Sequence, residues 1–132
     1  MPFLADRALY DLCPGPADAR LRARTALTRI NALACIRGAD HGWLGAAFSC
    51  ADVVTAAVFD SDFDHIVLSK GHAAAAQYAC LYARGDIEAA ALASYKDGPT
   101  GLQAHPDRAT AGVFTTTGSL GQALSKVAGA AF

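Results

Sequence analysis

One histidine stands in a setting where an imidazole could help hold an anion. His72 follows Ser69-Lys70-Gly71, between a short β-rich run, His65 to Leu68, and an alanine-rich run continuing to about Ala83. A strand–glycine–helix passage leaves backbone N–H groups free at a helix N-terminus, which favours a phosphate. Gly71 lets the backbone turn without a Cβ clash. Lys70 could add a positive charge and His72 a directional hydrogen bond. His105 lies in a His105-Pro106-Asp107 turn, and Thr117-Gly118-Ser119-Leu120-Gly121 repeats the strand–glycine–helix theme. Taken singly these are common features, since many strand–helix turns carry a glycine and hold nothing.

Other chemistry is less well supported. Cys13, Cys35, Cys50 and Cys80 have no C-x-x-C spacing, which argues against zinc and for small core residues. Asp60-Ser61-Asp62-Phe63-Asp64 resembles the start of a calcium loop. However, His65 stands at its sixth position and Gly71 at its twelfth, so it reads as a solvated turn with no metal. His41 and His65 read as structural or solvated, Lys70 as a surface or ion-paired side chain, and Trp43 as a core or interface anchor. The net charge of −1 over 132 residues argues against a nucleic-acid surface. Arg20, Arg22, Arg24 and Arg29 spread around a helix and read as a solvated face. With 53% hydrophobic and 17% charged residues the chain is a globular one. No signal peptide or membrane-spanning run is visible, and a reducing cytoplasm is the expected location.

The elements that must position these residues follow in order. Residues 1–16 form an arm with one helical turn, closed by Pro14-Gly15-Pro16. A helix is predicted over about Ala17–Arg37, with Leu21, Leu27, Ile30, Leu33 and Ala34 as its apolar stripe and Gly38 as its stop. Residues 42–47 read as a loop. Ser49 reads as an N-cap, with Asp52 completing a capping box, for a nearly wholly apolar helix to about Phe59, buried on several sides. Asp86 is expected to cap a helix over about Ile87–Tyr95. Residues 96–111 are irregular, and 113–116 suggest a short strand. Ser119 is expected to cap a helix running to Phe132.

Helices alternating with short strands indicate an α/β architecture, yet only one clear strand and one doubtful one are present. The expectation is therefore a piece of a larger domain, completed by a partner chain or truncated.

With the glycine-centred loops assembled, the chain resembles the N-terminal segment of transketolases, thiamine-diphosphate enzymes that move two-carbon ketol units between sugars. Leu68-Ser69-Lys70-Gly71-His72 with Tyr78 is similar to the family's L-S-K-G-H…Y block. Leu102-Gln103-Ala104-His105-Pro106-Asp107 is similar to L-Q-G-H-P-D, and 117–125 to T-G-S-L-G-Q-G-L-S. Residues 49–54 resemble the S-x-A-D-I-L helix start. The resemblance runs from about Arg20 to Phe132. It implies a three-layer α/β/α diphosphate-binding fold, here partial, helix-rich and with one or two parallel strands. Residues 17–132 would be its incomplete N-terminal part.

The resemblance also implies roles. His72 would contact the cofactor diphosphate. His105 would lie near the substrate hydroxyls and the reacting carbon. Gly118 and Leu120 would pack against the cofactor rings. Such roles suit imidazole and glycine chemistry. Three departures stand out. Trp43 occupies the place of a substrate-contacting histidine, with His41 two positions early, and an indole cannot exchange a proton. Ala104 and Ala123 replace family glycines. The G-D-G…N element that holds magnesium and diphosphate, and the glutamate that activates the thiamine ring, are not in this sequence.

The first reading is thus a thiamine-diphosphate-dependent component of a split transketolase-like enzyme acting on a sugar or sugar phosphate. Complementary transketolase-like chains would supply the metal motif and complete an oligomer. The rival reading is a truncated, catalytically inactive relative, inert or serving in protein association. An unrelated phosphate-binding module rests on the glycine turns alone.

Overall fold

A computed structural model describes residues 3–132; residues 1 and 2 of the expected arm lie outside the described residues. The arm contains α1 (Ala8–Asp11), begun where the Asp6 carboxylate accepts the Ala8 N–H at 2.8 Å. Pro16, extended and without a hydrogen to donate, precedes α2 (Ala17–Ala39), which has Asp18 in its first turn and Arg37 in its last, as the helix dipole favours. The helix runs through Gly38 and ends at Asp40, which takes the left-handed conformation with φ 57°.

Of the expected apolar stripe of α2, only Ala34 lies on its buried face. Thr25, Thr28, Asn31, Ala32, Ala34, Cys35 and Ile36 are buried, while Ile30 and Leu33 are each 43% exposed. Polar residues can line this face because most of them pair inside it. Thr55 donates to Thr28 at 3.0 Å, and Asn31 exchanges hydrogen bonds with the Ala5 backbone at 2.7 and 3.2 Å. Small side chains then let the helices approach closely. Arg20 and Arg22 are exposed as expected, whereas Arg24 and Arg29 depart from a solvated face. Arg24 donates to the Tyr10 carbonyl at 3.1 Å, pairs with Asp60 and lies over the Phe59 ring, while Arg29 pairs with Asp52.

Helix α3 (Leu44–Phe59) absorbs most of the expected 42–47 loop. Ser49 is inside it rather than at its start, with its hydroxyl donating to the Ala46 carbonyl at 3.0 Å, and Asp52 serves Arg29 instead of a capping box. Gly45 weakens a helix without forbidding it. The helix buries one face, Ala47, Ala51, Val54 and Thr55, and leaves Val53 exposed.

A 3-10 turn over Gly71–Ala73 leads into α4 (Ala74–Arg84), whose residues 74–82 are all buried. It packs against α2 and α3 and forms the centre of the molecule. Its end is a Schellman turn: Gly85 (φ 86°) donates to the Tyr82 carbonyl and Asp86 to that of Leu81. Asp86 therefore closes α4 rather than capping the next helix. That helix, α5 (Ala89–Ala93), is shorter than expected, with Glu88 at its N-cap position. The last helix, α6 (Ala123–Ala130), begins after a turn in which Gln122 donates to the Ser119 carbonyl, so Ser119 is not its cap.

The expected parallel strands are not formed among the described residues. Residues 65–68 and 113–116 are irregular and unpaired, with a bend at Thr115. They pass beside one another, with the His65 and Phe114 rings stacked at 4.2 Å between centroids. A cavity of about 300 Å³ is bordered by His65, Ile66, Gln77, Val113 and Phe114. The described residues are thus helix-rich, without the sheet of a three-layer α/β/α arrangement. None of their helices is long and apolar enough to cross a membrane.

Candidate active site

The glycine-bearing segments converge beside the start of α4. Gly71 is buried, and a Cβ there would lie 3.0 Å from the Gly118 nitrogen, 3.0 Å from the Thr117 hydroxyl oxygen and 3.1 Å from His105 Cδ2. Any side chain there would press on these neighbours and have to displace them. Gly118, at φ 153°, backs onto the His105 ring.

The His105 segment is held from two sides. The Tyr78 hydroxyl lies 2.9 Å from the Gln103 carbonyl oxygen and 3.0 Å from that of His105. The Thr117 N–H donates to the carbonyl of Pro106 at 3.0 Å. Burial raises the Tyr78 phenol above its ordinary range, which keeps it a neutral donor.

Trp43 precedes α3 and lies near both histidines. Its ring centroid is 5.4 Å from that of His105 and 6.2 Å from that of His72, the latter edge-on at 72°. Three residues far apart in the chain are therefore brought into one cluster with Gly71 and Gly118. Leu120 is not drawn in and is 69% exposed. His41 bonds the Ala39 carbonyl, and His65 stacks on Phe114, both in other surroundings. Lys70 reaches toward α3, donating to Ser49 Oγ at 2.7 Å and to the Ala46 carbonyl at 3.3 Å.

Two residues at the cluster had no individual reading from sequence. The Thr117 hydroxyl oxygen is buried and has no partner. Its only sequence signal is its place at the head of the 117–125 block. Lys96 brings its ammonium 5.0 Å from the Trp43 ring centroid. No periodicity or motif marks it.

The cluster offers two imidazoles, an unpartnered hydroxyl and two backbone stretches bare of Cβ. Such a set can donate to phosphate oxygens and let a flat ring approach the backbone. It offers no metal site: among the described residues no group of three or more His, Cys, Asp or Glu could hold an ion.

Residues 22–132 match the family described as transketolase, thiamine diphosphate binding domain. The chain is 31% identical over 123 residues to transketolase-like protein 2 of Homo sapiens, covering 85% of this chain and 20% of that protein. It is 33% identical over 98 residues to one subunit of the apulose-4-phosphate transketolase of Phocaeicola vulgatus, covering 66% of this chain and 35% of that one. It is 35% identical over 102 residues to the 6-deoxy-6-sulfo-D-fructose transketolase subunit SqwG of a Clostridium species, covering 68% and 37% respectively. The chain thus spans about a fifth of the first relative and just over a third of the other two. A match over nearly the whole chain, carrying the blocks that converge in the fold, places it in the transketolase family as a thiamine-diphosphate-binding domain.

Proposed function

We propose that the chain is one component of a multi-chain, transketolase-like enzyme that transfers two-carbon ketol units between sugars or sugar phosphates. Residues 17–132 form the N-terminal part of its diphosphate-binding domain and residues 1–16 its N-terminal arm. The observation that carries this reading is the convergence of His72, His105 and Trp43 around the Gly71–Gly118 contact. The relatives named as transketolase subunits support the multi-chain arrangement. A complementary transketolase-like chain supplies the Mg²⁺ and diphosphate ligands and the activating glutamate, and the assembly works in the cytoplasm.

Thiamine diphosphate, when bound, supplies the electron sink for breaking and making the carbon–carbon bond. The residues of this chain bind and orient. His72 donates to a diphosphate oxygen. Gly118, with no Cβ, lets the cofactor rings approach the backbone, and Leu120 covers them once the partner is seated. His105 takes and returns the proton of a substrate hydroxyl. Trp43 excludes water on the substrate side and accepts no proton.

The test is two-carbon transfer by the chain mixed with the complementary chain, thiamine diphosphate and Mg²⁺. Transfer that falls at least tenfold with His105→Ala supports the reading. Transfer by the complementary chain alone, unchanged on mixing, overturns it. A second reading has its own support in Trp43, which stands where the family carries a histidine: an inactive relative that serves association. In that case the two chains associate without transfer.

A further inference from the structure

The cavity beside the segments 65–68 and 113–116 lies apart from the cluster just described. It holds about 300 Å³, and none of His72, His105 or Trp43 borders it. Ile66, Leu81, Val113 and Phe114 give it apolar walls, and the His65 ring stacks on that of Phe114. Its two charged neighbours, Asp64 and Arg84, are of opposite sign, and Arg84 is already held by Asp86 at 2.9 Å. The cavity therefore favours neither an anion nor a cation.

One polar group on its border is incompletely paired. Gln77, on α4, is 3% exposed. Its Nε2 donates to the Ile66 carbonyl at 3.4 Å, whereas its Oε1 is buried and has no partner. A carbonyl accepts only from the nitrogen end of an amide, so the free end of Gln77 is the oxygen. A buried acceptor left unpaired is destabilising, and a donor that reaches it relieves this. Apolar walls with a single orphaned acceptor are the composition of a small-molecule site.

We propose that this cavity binds a small neutral aromatic molecule carrying one hydrogen-bond donor, a phenolic O–H or a ring N–H. The ring packs against the apolar walls, and its donor hydrogen goes to Gln77 Oε1. An apolar cavity of about 150 Å³ is enough to hold benzene, so one ring or two fused rings fit. The same walls belong to segments that run on into the candidate active site. Ile66 leads to His72 and Phe114 to Gly118, while Gln77 adjoins Tyr78, whose hydroxyl holds the His105 carbonyl. A bound ring braces all three, which makes the cavity an effector position rather than a substrate position.

The test uses the 132-residue chain without cofactor or partner. Phenol, anisole and benzene are titrated separately while amide shifts are followed by NMR. Phenol is expected to bind saturably, at least tenfold more tightly than anisole or benzene, which lack the donor hydrogen. It should shift the amides of Ile66, Gln77 and Phe114, with changes extending to His72 and Gly118. Gln77→Leu, which removes the acceptor, should bring phenol to the affinity of benzene. No saturable binding, equal affinity for the three rings, or shifts confined to other segments overturns the proposal. So does a preference for phenol that survives in Gln77→Leu. The three-ring comparison in the parent chain decides the matter even where the variant fails to fold. Two-carbon transfer, present or absent, has no bearing on this result.

Discussion

The hydroxyl of Tyr78, in the middle of α4, reaches the carbonyl oxygen of His105 at 3.0 Å. The same hydroxyl lies 2.9 Å from the Gln103 carbonyl oxygen. One buried phenol thus fixes the segment bearing His105 to the helix whose first turn follows His72. The distance between the two imidazoles is set by the core of the domain, not by a surface loop.

Tyr78→Phe should therefore loosen the site more than the fold. The change leaves two carbonyls without their donor and should cost about 1–2 kcal/mol of stability. Amide exchange should accelerate in residues 103–107 and stay nearly unchanged in α2. Equal acceleration in both would show that the phenol supports the core generally.

Gly71→Ala introduces a Cβ 3.0 Å from the Gly118 backbone nitrogen, which cannot swing aside as a flexible side-chain end would. The expected cost is about 1–3 kcal/mol by overpacking, with the Gly118 segment displaced from His105. A urea midpoint equal to that of the parent chain would contradict the close approach.

Asn31 joins the arm to α2. Its carbonyl accepts the Ala5 N–H, and its amide donates to the Ala5 carbonyl and to the Tyr10 hydroxyl. Asn31→Ala should cost about 2 kcal/mol by stranding these partners, and limited proteolysis should then cut first within residues 3–16. Cleavage elsewhere first would show the arm is held by other contacts.

Burial pushes the Cys35 thiol up to about 12 and that of Cys80 to about 11. Both stay protonated in the fold, whereas the unfolded chain releases these protons near the ordinary value of 9.0. Above that pH the unfolded state binds fewer protons, so stability falls as pH rises, by at most about 1.4 kcal/mol per pH unit for each thiol. The urea midpoint should hold steady below about pH 8 and decline above about pH 9. Cys35→Ala should make the decline shallower. A midpoint that stays flat to about pH 10 would contradict the burial of these thiols.

What the chain order revealed was uneven, for physical reasons. The alanine-rich run after His72, read to about Ala83, announced α4 almost residue for residue, because helix propensity and burial agree there; the left-handed turn at Gly85 that ends it was not read. The cluster of His72, His105 and Trp43 was accessible only through the family blocks, since no local pattern links residues so far apart. The buried face of α2 was hidden because Thr25, Thr28 and Asn31 look like surface residues; Thr28 and Asn31 become core by pairing with Thr55 and with the arm. Ser49 carried a cap signature that the neighbouring helix-forming residues overrode. The segments at 65–68 and 113–116 have strand composition, but a ladder depends on a neighbour's register, which composition does not encode. Lys96 gave no signal at all, because its position depends on a left-handed turn in an unremarkable run of residues.

The most direct test of a shared cofactor site is calorimetric titration of thiamine diphosphate with Mg²⁺ into the chain alone, and then into the chain mixed with its complementary chain. Binding in the mixture, absent from either chain alone and weakened at least tenfold by His72→Ala, is the result this account predicts. Tight binding by the 132-residue chain alone, or binding in the mixture indifferent to His72, would contradict it.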